Sequence, residues 1–133
     1  MTRRKELNEY LAQAHSKPFQ YGTFDCALFA AGWVQRVTGK DLTLGVEYST
    51  LREGREKLHS QGFSDHVAAT ASQLSEVPVA LAKIGDVVAV PAGPRRYGLG
   101  IVTGERVAVL TRWLGVGFVP LTDAVRAFRV EPS

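Results

Sequence analysis

The hydrophobic period changes once along this 133-residue chain, and that change limits the architectures open to it. In the first half, apolar residues recur at helical spacing. Leu7, Tyr10, Leu11 and Ala14 stand at i, i+3, i+4 and i+7, with Arg3, Lys5, Glu6 and Glu9 on the opposite face. The segment PFQYGTFD at 18–25 breaks the pattern with Pro18 and Gly22. A second helix is expected from about Asp25 to Thr38, with Gly39 as its C-terminal stop. Thr50 and Glu53 form a capping-box pattern for a third helix ending near Gly62, and an Ala-rich fourth is expected around 64–74.

The second half reads as short β-branched runs at 84–90, 99–104, 106–110 and 114–121, separated by Gly, Pro or charged residues. A hairpin is expected at 103–106, a looser connection at 91–96, a short helix at 122–127 and a last strand at 128–130. Helices first and strands second predict an α+β domain, N-terminal helices packed on a C-terminal antiparallel sheet. No repeat, linker or low-complexity tract divides the sequence, so residues 1–133 are read as a single domain.

Composition narrows the function. Sixteen Lys+Arg against 13 Asp+Glu give a net charge of +3, and the basic clusters at 2–5 and 95–96 are short, so nucleic acid is not an expected partner. One cysteine excludes an internal disulfide and a cysteine-based zinc cluster. No metal-ligand spacing and no Walker-type phosphate loop occurs, so neither metal nor cofactor is expected. The longest apolar run, CALFAAGWV at 26–34, is far short of the ~20 residues of a spanning helix. The basic amino terminus has no apolar run behind it, so neither a secretory signal nor membrane insertion is expected.

Cys26 is the candidate for chemistry. It opens the expected second helix, where backbone N–H groups and the helix dipole favour the nucleophilic thiolate. The bland reading is a small buried hydrophobe among Ala, Leu and Phe. Asp25 before it has two readings, a cap for the helix or a charge shaping the thiol's surroundings. His15, His59 and His66 read as surface or capping residues, His66 being the least poor substitute for a general base.

Together, PFQYGTFDCALFAAGWV, GDVVAV and YGLGIVTG resemble the NlpC-type branch of the papain-like cysteine peptidases. Pro18, Tyr21, Gly22, Asp25 and Cys26 match its first motif, Gly85 and Asp86 its second, Gly100 and Ile101 part of its third. The resemblance implies a papain-like fold with Cys26 as nucleophile. It also implies that Gly98 stands where the family's general-base His belongs, facing the thiol. Phe19 replaces a Tyr of the site, Ala27-Leu28 replace a Ser-Gly, and Thr111 is the only nearby candidate for the residue that orients the His.

Asp25-Cys26, Gly85-Asp86, Leu99-Gly100-Ile101, Pro120-Leu121 and Ala127-Phe128-Arg129 further resemble a narrower family of tailed phages and prophages, usually among tail genes. That resemblance implies a degenerate, non-catalytic domain acting in tail assembly or at the tail tip, in the bacterial host cytoplasm and in the virion tail. Phage tail proteins are the implied partners, with Arg126 and Arg129 as candidate contact residues. The alternatives are a peptidase or amidase cutting peptidoglycan peptides during genome entry, and a prophage protein mediating superinfection exclusion.

Overall fold

The structure is a computed structural model and describes residues 2–132. Four helices come first: α1 (Arg3–His15), α2 (Cys26–Thr38), α3 (Leu51–Ser60) and α4 (His66–Ala71). Six strands follow: β1 (Glu76–Val77), β2 (Val87–Pro91), β3 (Tyr97–Val102), β4 (Arg106–Thr111), β5 (Gly115–Pro120) and β6 (Arg126–Phe128). They form one open antiparallel sheet in the order β1-β6-β2-β3-β4-β5. The chain is thus α+β, as the change of period implies.

Each helix starts where a side chain accepts an otherwise unpaired N–H of its first turn. Thr2, Asp25, Thr50 and Asp65 bond the N–H groups of Lys5, Leu28, Glu53 and Ala68. Gly39 ends α2 at φ +79°, a conformation glycine adopts without strain.

The two sheet faces differ in what covers them. Leu99, Ile101, Val87, Ala89 and Phe128 pack with Leu7 and Tyr10 of α1 and Phe29, Trp33 and Val34 of α2. Val88, Val90, Val102, Val107 and Ala127 point the other way, under partly buried residues of the short connections such as Val79, Ala82 and Leu121. Two buried bonds lock the helical layer. Tyr10 Oη donates to the Phe29 carbonyl (2.7 Å), and Trp33 Nε1 donates to the Gly85 carbonyl at the entry to β2 (2.8 Å). Gly100 is dictated by packing, because a Cβ there would lie 2.9 Å from the Ala108 carbonyl and collide with Val107.

Several boundaries depart from the sequence reading. β2 begins at Val87 rather than 84, because Gly85 takes φ +93° and Asp86 turns its carboxylate back onto the Lys83 N–H (2.9 Å). In place of a helix at 122–127 there is one 3-10 turn at Leu121–Asp123. The Val125 N–H then bonds the Ala89 carbonyl (2.9 Å), and the last strand starts at Arg126 rather than 128. The short β1 has no signal in the sequence reading; it exists because β6 offers it a partner.

Arg126 and Arg129, candidate contacts for a partner, are engaged within the chain. Arg126 makes a two-pronged pair with Glu76 (2.7 and 3.0 Å), clamping β6 to β1. Arg129 bonds the Asp86 carboxylate (3.1 Å) and the Leu81 carbonyl (2.9 Å). Asp86, 1% exposed, also accepts the N–H of Val130 (3.1 Å), so one carboxylate ties the start of β2 to the end of the chain. Both arginines thus have a structural task within the chain. Asp86→Ala leaves the Arg129 guanidinium and two N–H groups without their acceptor, and should destabilise the fold by about 3–5 kcal/mol in urea denaturation.

Candidate functional site

Cys26 is the first residue of α2, where the resemblance places it. The turn before it is held by Asp25, a carboxylate only 2% exposed. Its Oδ1 accepts the Leu28 N–H (3.0 Å), its Oδ2 accepts the Gly22 N–H (3.1 Å), and the Tyr48 hydroxyl also donates to Oδ2. Gly22 has φ +83° and no room for a side chain, since a Cβ there would run into the Tyr48 carbonyl. Asp25 therefore caps the helix and joins three segments, residues 18–25, α2 and the loop at 39–50.

Cys26 is half-buried, and its thiol pKa is raised rather than lowered. Burial is the larger cause pushing its pKa up, and the adjacent Asp25 charge pushes the same way. The N–H groups of Leu99, Ala27 and Cys26 itself pull down, but do not prevail. Burial and the neighbouring carboxylate thus work against the thiolate that the helix N-terminus favours.

The register of β3 corrects a second expectation. Gly98 pairs with Val90 and Leu99 with Ala89. Directly paired residues share a face, so Leu99 points toward α2 and position 98 points away from it, with Val90. A Cβ at 98 would meet the Ala92 Cβ at 3.7 Å. Gly98 lines the same cavity as Cys26, but with backbone rather than a side chain. What β3 does present is backbone. Val102 donates to the Asp86 carbonyl (2.9 Å), so even-numbered residues bond toward β2 and Leu99 points its N–H toward β4. The β3–β4 pairing covers only Ile101 and Val102, which leaves the Leu99 N–H directed at the thiol.

Cys26 opens onto a cavity of about 640 Å³, walled by α2, α3, α4, the 39–50 loop and the β2–β3 connection. His66, at the first turn of α4, lines the same cavity. Its Nε2 is closed off from solvent and has no hydrogen-bond partner among the described residues. Burial lowers the His66 pKa, against the Asp65 charge, the Tyr97 backbone and the Asp25 charge, while Arg55 reinforces the lowering. Tyr48, raised by burial and by its bond to Asp25, stays a neutral donor.

The other histidines are accounted for elsewhere. His15 Nδ1 accepts the Val116 N–H (3.1 Å), and His59 Nε2 lies 3.0 Å from the Ser64 carbonyl. Thr111 bonds the Gly115 carbonyl (2.6 Å) and serves a turn. Among the described residues, no group of three or more His, Cys, Asp or Glu is placed to hold a metal, and no helix is long and apolar enough to cross a membrane. Sequence reasoning missed Tyr48 and Arg55 and took Arg95 only as part of a short basic cluster; all three lie outside the matched motifs, and only the fold brings them to the cavity.

The chain is a member of the DUF6950 family, a domain of unknown function, whose profile matches residues 1–130. No curated protein matches it.

Because burial favours neutral His66, stability should hold above its ordinary pKa of 6.5 and decline as pH falls from there toward the lower folded value. Comparing urea midpoints of His66→Gln and the unaltered protein from about pH 7 to about pH 5 should show a shallower decline in the variant.

Proposed function

We propose that this chain is a phage or prophage tail-associated domain of NlpC-like, papain-type descent whose cleft binds a ligand without cleaving it. The observation that carries this reading is the state of Cys26. Its thiol is raised in pKa by burial and by Asp25, and no imidazole is hydrogen-bonded to it among the described residues. A thiol peptidase needs a thiolate and a base within reach, with a third group holding the base. Here the carboxylate beside the thiol is engaged by Leu28, Gly22 and Tyr48, and Thr111, the candidate for orienting a base, bonds the Gly115 carbonyl. The surrounding cavity has the size of an ordinary ligand site and a largely apolar wall.

One observation favours the rival enzyme reading, in which the domain is a cysteine peptidase or amidase acting on peptidoglycan peptides. The unpartnered His66 Nε2 shares the cavity with the thiol. A rearrangement that brought the two together would supply a base from α4 instead of from β3.

The two readings part on reactivity. For the binding domain, iodoacetamide should alkylate Cys26 more slowly at neutral pH than a free thiol, with its rate rising only above the ordinary thiol range. Purified protein should release no fragments from peptidoglycan peptides, and Cys26→Ser should associate with tails as the unaltered protein does. Turnover lost in both Cys26→Ala and His66→Ala would establish the enzyme instead.

A further inference from the structure

The cavity wall is apolar, with Leu28, Leu42, Val46, Leu58 and Leu99 among its residues, yet its exposed rim is basic. Arg55 comes from α3, and Arg95 and Arg96 from the turn joining β2 to β3. No carboxylate pairs with any of the three among the described residues, whereas Arg3, Arg36, Arg52, Arg126 and Arg129 all have acidic partners. The two carboxylates of the wall, Asp25 and Asp65, are occupied in capping α2 and α4.

Arg95 is held there against backbone preference. The Arg96 N–H bonds the Gly93 carbonyl (3.2 Å), closing a turn with Pro94 and Arg95 as its central residues. Arg95 has φ +58°. Proline first and positive φ second is the pattern in which glycine or asparagine is the favoured second residue. An arginine at that position strains the backbone and projects a cation at the rim.

An interior polar atom restricts the occupant further. His66 Nε2 is buried without a partner among the described residues. An alkyl chain filling the cavity would leave it unsatisfied, whereas a peptide brings N–H groups and carbonyls along its length.

We propose that the cavity is a binding site for an acidic peptide segment, with an apolar side chain seated inside and flanking carboxylates on Arg55, Arg95 and Arg96. This rests on the binding reading above and specifies the ligand of the same site.

The test uses fluorescein-labelled hexapeptide pools, with Leu, Ile, Val or Phe at two central positions and Glu at the four flanking ones. A second pool carries Gln in place of Glu. By fluorescence anisotropy, the Glu pool should bind about tenfold more tightly than the Gln pool, with the difference shrinking as salt is added. Arg95→Gly removes a charge and relieves the turn, so it should weaken Glu-pool binding about fivefold with Tm unchanged or higher. Equal binding of the two pools, or unaltered binding by Arg95→Gly, overturns the proposal. Displacement of the Glu pool by dodecanoate at equal potency overturns it in favour of a lipid. Mass spectra of the same mixtures keep the two failures apart: Cys26-dependent cleavage sinks the binding reading, and loss of the charge preference sinks only the acidic ligand.

Discussion

The architecture around the site depends on one buried carboxylate. Asp25 meets the N–H groups of Leu28 and Gly22 and the hydroxyl of Tyr48. Three donors compensate a charge that would otherwise be costly to bury. In doing so they set where α2 starts, how the preceding turn folds, and where the 39–50 loop lies against it. The same charge also acts on its neighbour, in the same direction as burial. A cysteine at a helix N-terminus would ordinarily lose its proton readily, but here the capping group is itself an anion beside the sulfur. Burial is the larger obstacle to the thiolate at this position, and the capping carboxylate adds to it.

Asp86 plays the corresponding part on the other side of the molecule. It joins residues far apart in sequence through Lys83, Arg129 and Val130, and so closes the sheet around β2 and β6. The arginines divide accordingly. Those that hold strands together have carboxylate partners, while those at the cavity rim do not.

Much of the fold was legible because its signals are local. Helical spacing at 7–14, the Asp-Cys and Thr-x-x-Glu caps and the β-branched runs each specify an element without reference to distant residues. What failed was non-local. β1 and β6 are two and three residues long and exist only as partners in a sheet, so 126–127 read as the end of a helix. The face of Gly98 could not be read from a motif, since a strand's sides are set by its register with β2. Cys26 and Asp25 were legible as residues, but the upward push on the thiol was not, because burial is its largest cause. Tyr48 and Arg55 needed the fold to bring the middle of the chain over the mouth of α2.

The position of β6 bears on how the chain reaches this structure. Although last in sequence, it lies between β1 and β2. Until it arrives, β1 has no neighbour and β2 has an open edge. The helices are made first, yet their apolar faces are buried against strands made afterwards. On the ribosome, the amino-terminal half therefore waits with Phe29, Trp33 and Val34 unburied until the carboxy-terminal strands emerge. Contacts of such long sequence separation make for slow folding. The interval is one in which a chaperone, or another copy of the chain, can reach surfaces that the finished molecule hides.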